Sequence, residues 1–565
     1  MEDQKATLVL LLVFCMVLAS IPVFHAVEAN PSSMVPRVHE PAFAIKGDGS
    51  VDPSTAPIRR DGDIYTLTDN IVGYSVIVER DNITLDGGGY TLRGNGFSSN
   101  DQNGFEHLNA GVFLLNRQRV TIRNMKISGF HDAINMFSYL GGSSIENRFE
   151  NNLLADNYYG MYILYSQSIV LRNNQMKNNT RNLCIVDNIQ VNPEPPNLYL
   201  NDVDSSNMVD GKPVIYWINK HGEAVPSNAG YVALINCSDI TVKNLDLSHN
   251  GQGISLISTP NLIIAQNRIT NTDTGIFLCE SSNTIVTENS LDSNGVCIEA
   301  HDSPATQISS NSLTRSGSGI SLIGAALDSV VYGNSIIKNT GSGMWLSEIS
   351  NATISHNNVS ENNDTGITLY VSYNNTVAAN TITGNRRDGV GLWEEGSGNM
   401  ILENLVANNG RFGFLIRYCG NNSIIGNMIS KNNDSAIRFV GEPSNNLIYH
   451  NNFIENNNNG AQISFSTTFS NSAPHNVWDN GVEGNYWSDS NSSPYLIDEN
   501  NKDNHPLLTP MDFVPPELPK PTLNEGATNQ YPWLPVAAAV AVAAVVVAVA
   551  AVVYWKKQGK EKHRE

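Results

Sequence analysis

Apolar and polar positions alternate in short runs along most of this chain, and the runs return at a nearly constant interval. From Gly230 to Phe465 each copy opens on a small residue followed by alternating apolar positions. The series reads GISL at Gly253, GIFL at Gly275, GVCI at Gly295, GISL at Gly319, GMWL at Gly343, GITL at Gly366, GVGL at Gly389, GFLI at Gly413 and AIRF at Ala436. A second beat, Asn-x-apolar, falls at Asn267, Asn289, Asn311, Asn334, Asn357, Asn380, Asn404, Asn427 and Asn451, with spacings of 22, 22, 23, 23, 23, 24, 23 and 24. A fixed period of this size, with strand-like runs and Gly/Asn turns, predicts a solenoid.

The copy from Gly366 to Asp388 reads GITLYVSYNNTVAANTITGNRRD. Three strand-like pieces (ITLY, TVAA, TITG) are parted by polar turns, and no stretch is long enough for a helical repeat. The prediction is an all-β chain, a parallel β-helix with three strands per turn. Stacking would bring each recurring Asn over the last, so the nine Asn residues should form a ladder of side-chain amides. Earlier pieces keep the same beat: ITLDGGGYTLRG from Ile83, VTIRNMKISG from Val120 and GMYIL at Gly160. They bring the expectation to about 15 turns over residues 83–475. An open end of such a coil is an unpaired sheet edge. Residues 30–82 and the Trp/Tyr/Asp-rich residues 476–508 are therefore expected to act as caps. The period breaks over residues 183–229, which carry PEPP, VDGKPVIYW and NKHGEAVPSNAG and read as a hairpin-like insert.

Both chain ends depart from this pattern. An apolar run from Thr7 to Ala19 follows Lys5, and Val27-Glu28-Ala29 offers a cleavage site, so residues 1–29 read as a signal peptide. Val536 to Trp555 is almost wholly Ala and Val and is long enough to cross a bilayer. The basic tail KKQGKEKHRE over residues 556–565 puts that end in the cytoplasm by the positive-inside rule. The Pro-rich residues 509–535 form a stalk. The expectation is a single-pass cell-membrane protein with its solenoid outside.

Charge and cysteine content narrow the partners. The 565 residues carry a formal charge of −20, which argues against nucleic acid or an anionic membrane surface. Cys184, Cys237, Cys279, Cys297 and Cys419 are odd in number and share no spacing, so neither a disulfide framework nor a zinc site is indicated. Sequons at Asn82, Asn236, Asn351, Asn374 and Asn491 are candidates for glycosylation.

Candidate chemistry comes from the repeat register. Residues one and three after each Gly should face inward, and those two, four and five after should face out or open the turn. The outer positions hold Phe277, Trp345, Tyr370, Trp393, Arg417, Tyr418 and Arg438, with Glu280, Glu299, Glu348 and Glu394 beside them. Aromatic faces interleaved with guanidinium and carboxylate groups suit a saccharide. Rings cover the apolar faces of pyranoses, and the charged groups bond hydroxyls. Hydrolysis would need two carboxyls about 5 Å apart for retention or ~6.5–9.5 Å for inversion. Stacking would set Glu280 and Glu299 about 5 Å apart and Glu348 and Glu394 about 10 Å apart. Asp364, Arg386, Arg387, Asp388 and Arg411 also crowd adjacent turns. Asp489, Asp498 and Asp503 could lend oxygens to calcium, without an EF-hand spacing. No cofactor is required by these features.

The order GDGSVDPSTAPIRRDGDIYTL, ITLDGGGYTLRG, VDGKPVIYW, the Asn-x-apolar turns, NVWDNGVEGNYWSD and PYLIDENNKDNHPLL resembles NosD-like right-handed β-helix repeat proteins. In particular it resembles the archaeal surface group that overlaps the carbohydrate-binding and sugar-hydrolysis domain. The resemblance covers roughly Ile45 to Leu508 and implies a right-handed coil. NosD itself serves copper-site assembly, which needs gathered soft or imidazole ligands. Here His107, His131, His221, His249, His301, His356, His450, His475 and His505 are scattered. Three function classes stay open: a cell-surface glycan-binding protein, a tethered polysaccharide lyase or glycoside hydrolase, and a passive or adhesive envelope element.

Overall fold

The computed structural model describes residues 41–97, 109–138, 144–186, 199–466, 475–490 and 492–513. The leader, most of the stalk, the Ala/Val segment, the basic tail and the sequon at Asn491 lie outside them. Among the described residues no helix is long and apolar enough to cross a membrane. The chain divides into two units. One comprises Met1–Gln307, Asn311–Ser329 and Ile336–Ile349, and the other Ile308–Ser310, Val330–Ser335 and Ser350–Glu565. Both are cut from one kind of coil, a parallel β-solenoid of about 16 turns among the described residues.

In the second unit three short strands make each turn. The Gly-led strands Ile367–Tyr370, Val390–Trp393, Phe414–Arg417, Ile437–Val440 and Ile463–Ser466 pair in parallel, one above the next. Their inward residues seal the interior: Ile367, Leu369, Val390, Leu392, Phe414 and Ile416 are all buried. The leading Gly permits a close approach. A Cβ on Gly389 would stand 2.4 Å from Val406 Cγ1 and 2.7 Å from the Gly413 carbonyl oxygen.

The first unit has the same construction, with one irregularity. Its early Gly-led strands end at Arg181–Val186. The insert then supplies sides of the coil. Asp202–Val203 pairs in parallel with Val170–Arg172, and Met208–Val209 with Gln175–Lys177. An Asp210-Gly211 turn, with positive φ at both residues, folds Met208–Val209 back on Lys212–Ile218 as an antiparallel hairpin. From there the Gly-led strands resume through Tyr231–Ile235 and Gln252–Ile257.

Register corrects one repeat. Ile276 pairs with Ile298 and Ile298 with Ile320, so Cys297, not Gly295, stands in line with Gly275 and Gly319. A buried thiol replaces the hydrogen of glycine there, and the visible Gly two residues earlier hides the register in the sequence.

The Asn residues tie the turns together. Each side-chain amide donates to the Asn carbonyl of the next turn at 2.9–3.0 Å, from Asn267 to Asn311 in the first unit and from Asn334 through Asn451 to Asn485 in the second. Two more ladders flank it in the second unit, five residues to either side of each rung as far as Asn451. One runs from Asn375 through Asn399, Asn422 and Asn446 to Asn476. The other runs from Asn362 through Asn385, Asn409 and Asn432 to Asn456. The residue before each central rung from Asn267 to Asn451 bends into the left-handed region, as at Ala379, Glu403 and His450. The amide bonds hold that bend against its steric cost.

After the last rung the chain folds over the coil. Tyr486–Trp487 pairs with Asn452–Ile454, and Trp478 and Trp487 are fully buried. Tyr495 stacks on Trp487 with ring centroids 4.0 Å apart.

Candidate functional site

In the second unit the outward residues of the Gly-led strands form two columns. Tyr370, Trp393, Arg417 and Val440 pair in register, as do Thr368, Gly391, Leu415 and Arg438. Two aromatic rings fold onto glycines. A Cβ on Gly391 would lie 2.8 Å from Trp393 Nε1, so the indole lies over that glycine. A Cβ on Gly441 would lie 2.3 Å from Tyr418 Cδ1 and Cε1, so the phenol does the same. Trp393 is half-buried and Tyr418 exposed. Arg417 sits 5.6 Å from the Tyr418 ring centre and pairs through Nε with Glu394 at 3.0 Å. Burial pushes the Glu394 carboxyl above its ordinary range, against the opposing pull of Arg417. Together they make a ledge of two rings, each seated against a glycine, with an ion pair beside them.

The turn leading into these strands is charged. Arg387 pairs with Asp364 at 3.3 Å, and Arg386 donates to the Asn363 side chain at 3.1 Å. Arg411 approaches Asp388 at 4.0 Å, and the Phe412 amide donates to Asp388 Oδ1 at 3.3 Å. Asp388 is fully buried, and its Oδ2 has no hydrogen-bond partner among the described residues. Burial pushes its carboxyl up, with Arg411 opposing. A carboxyl raised in the folded state holds its proton more tightly there than in the unfolded chain. Stability therefore falls as pH rises from the ordinary carboxylate value through the raised one. Asp388→Asn removes that decline. Its melting temperature minus that of the wild type should grow more positive between pH 4 and pH 7 in paired thermal melts; a flat difference would contradict the assignment.

The other positions read from the sequence are distributed differently. Phe277 faces outward but is buried at 7% exposure, so it offers no open ring. Trp345, half-buried in the first unit, pairs in register with Ser321. Glu299 is held by His301 Nε2 at 2.9 Å and by the Thr274 hydroxyl at 3.3 Å. Glu280 is exposed and accepts from the Ser258 hydroxyl at 2.9 Å. Glu299 lies opposite Phe277, three residues before Glu280. That offset, about 10 Å along a strand, removes the close pair expected from stacking alone. Glu348 is an exposed turn residue of the first unit, while Glu394 belongs to the second. Asp489 accepts from the Tyr495 hydroxyl, Asp498 from the Asn500 and Asn501 amides, and Asp503 from the Asn485 amide and the Trp487 indole. Among the described residues no group of three or more His, Cys, Asp or Glu gathers in a metal-binding arrangement. The sequon residues Asn82, Asn351 and Asn374 are exposed in left-handed turns, and Asn236 is half-buried.

A charged and aromatic cluster in the first unit went unread in the sequence. Asp132, Tyr159 and Arg181 pair in register. The Tyr159 hydroxyl donates to Asp273 Oδ2 at 2.9 Å, and Arg181 Nε to Asp273 Oδ1 at 2.7 Å. His131 Nδ1 lies 2.8 Å from Asp132 Oδ1, and its ring stacks on Tyr158 at 4.7 Å. Burial raises the Asp273 carboxyl while Arg181 and Tyr159 hold it down. The network clamps the turn at Asp273 to strands that precede the insert. Its signal was a polar or aromatic pair, HD, YY and TR, straddling the start of three successive strands of one column.

The comparisons with known proteins follow this architecture. The family profile described as "Periplasmic copper-binding protein (NosD)" matches residues 201–342, 305–411 and 341–492. The profile described as "Right handed beta helix region" matches residues 58–193. No curated protein matches the chain. Solved structures similar to it include a mutant of the periplasmic alginate epimerase AlgG, at 13% identity over 63% of this chain and 78% of that one, with a TM-score of 0.34. The Azotobacter vinelandii mannuronan C-5 epimerase AlgE6 A-module is 13% identical over 71% of this chain and 90% of its own, with a TM-score of 0.28. XylC in complex with xylose is 15% identical over 43% and 45%, with a TM-score of 0.27.

Proposed function

This chain belongs to the NosD family of right-handed β-helix proteins, and on that scaffold we propose that it binds glycans at the cell surface, through the outer face of its Gly-led strands. The observation that carries this reading is the ledge in the second unit. Trp393 and Tyr418 pack against Gly391 and Gly441, with the Arg417–Glu394 pair beside them. Rings held against the backbone in this way offer area to the apolar faces of sugars at little conformational cost. The neighbouring ion pair supplies donors and acceptors for hydroxyls. The Ala/Val segment 536–555 and its basic tail would hold this face outside the membrane.

Binding is favoured over hydrolysis at this ledge. The two carboxyls raised by burial there, Asp388 and Glu394, lie at opposite ends of one strand, six residues apart. That is on the order of 15–20 Å of extended chain, well beyond the ~5–9.5 Å that glycoside hydrolysis uses. Copper handling is disfavoured as well. Burial pushes the thiols of Cys184, Cys237, Cys297 and Cys419 up, away from the thiolate a soft metal takes.

Titration calorimetry with an oligosaccharide ligand tests the reading. Trp393→Ala should cost about 2 kcal/mol, roughly 30-fold in affinity. Gly391→Ala, which lifts the indole off its seat, should weaken binding in the same direction. Unchanged affinity in both variants, with unchanged melting curves, would remove the ledge as the binding face.

A further inference from the structure

The guanidinium groups near the ledge are unevenly paired. Arg386, Arg387, Arg411, Arg417 and Arg438 are the only arginines between Arg315 and Arg564, and all five fall on three successive turns of a protein with formal charge −20. Arg387 and Arg417 have carboxylate partners close by, and Arg386 has an amide oxygen. Arg411 reaches Asp388 only at 4.0 Å. The Arg438 guanidinium makes no ion pair and no hydrogen bond among the described residues. It lies half-buried in the outward column, 5.9 Å from the ring centre of Phe412, whose ring Arg411 also approaches, at 4.9 Å. Two guanidinium groups thus share one aromatic ring. Burial and the like charge of Arg411 lower the pKa of Arg438, and Asp434 offsets this only in part. Next to them Asp388 keeps a buried carboxylate oxygen without a hydrogen-bond partner among the described residues. A half-buried cation facing another cation without a bonded counter-charge is costly unless an anion joins it.

We propose that Arg438 and Arg411, held around the Phe412 ring, form an oxyanion subsite, and that the glycan bound on the ledge is an acidic one carrying carboxylate or sulfate groups. This rests on the glycan-binding reading and names its substrate class. Arginine suits the role because its planar donors match a carboxylate or sulfate in a charge-assisted pair. Arg438 lies two turns from Gly391, the seat of the Trp393 indole, in one outward column. At about 4.8 Å per turn the separation is roughly 10 Å. An acidic polymer could therefore stack a ring on Trp393 while a charged group further along the chain meets Arg438.

The test uses the full-length chain in mild detergent with three probes of equal length: an oligouronate, the same oligosaccharide after carboxyl reduction, and a sulfated oligosaccharide. The proposal expects at least one anionic probe to bind about tenfold or more tighter than the reduced one, with a preference that shrinks as salt rises. Whichever anion binds more tightly identifies the source. Arg438→Gln should erase that preference with an unchanged melting curve, and Arg438→Lys should restore part of it. Equal binding of charged and neutral probes, or a silent Arg438→Gln, overturns the subsite. If the probes still depend on Trp393 in that case, glycan binding stands without it. A chain that binds none of the three overturns both.

Discussion

Replacing Asn404 with alanine should lower the stability of the second unit by roughly 3–6 kcal/mol, because several buried groups lose partners at about 1–3 kcal/mol each. Asn404 accepts from the Asn380 backbone and side-chain amides, both at 2.9 Å, and donates to the Val377 carbonyl at 2.8 Å and to Asn427 at 3.0 Å. No water can replace these bonds, since the side chain is fully enclosed. The loss is also positional. A solenoid is held by contacts between neighbouring turns, so a broken rung should let the coil part at that turn. Thermal melts and limited proteolysis, with cleavage expected near the Glu403 turn, measure it. Asn408 is the control. It is exposed and left-handed, and Asn408→Gly should change stability by no more than about 0.5 kcal/mol. Equal effects at Asn404 and Asn408 would mean that the ladder adds nothing beyond turn preference.

The second large effect is expected at Asp503, where the central ladder ends. Its buried carboxylate accepts from the Asn485 amide at 2.7 Å, the Trp487 indole at 2.9 Å and the His505 amide at 3.0 Å. Asp503→Ala leaves three donors behind, a cost of roughly 3–5 kcal/mol. It also loosens the cover over Trp478 and Trp487. Fraying there exposes the last rung and a sheet edge, which invites association. The variant should show red-shifted tryptophan emission and concentration-dependent aggregation below its melting point. Asp498→Ala also removes a cap contact, to Asn501, but in a more exposed place, and should do less. Native-like emission from Asp503→Ala would show that the aromatic stack alone holds this end.

Much of the scaffold was legible because one rule repeats. The Gly-led strands, the inward residues such as Ile367 and Leu369, and the central Asn positions follow directly from the period. The flanking ladders were equally open to reading. Asn375, Asn380 and Asn385 stand five apart, as do Asn399, Asn404 and Asn409, then Asn422, Asn427 and Asn432. The site was harder for a physical reason. Alternation says which side chains point outward, not what they meet there. Phe277 points outward and is covered; Trp393 points outward and folds back on Gly391. Asp388 and Phe412 precede their strands, where alternation has no authority. The expected pairing of Glu280 with Glu299 failed because Cys297 carries the register that Gly295 seemed to mark.

The measurement that bears most directly on the central claim is a glycan-array screen of the purified chain beside Trp393→Ala. Selective capture of saccharides by the wild type, acidic ones foremost, with that signal lost in the variant, is the predicted result. Silence across acidic and neutral glycans alike, from a chain whose melting curve shows it folded, would contradict glycan binding and leave the coil as an envelope element.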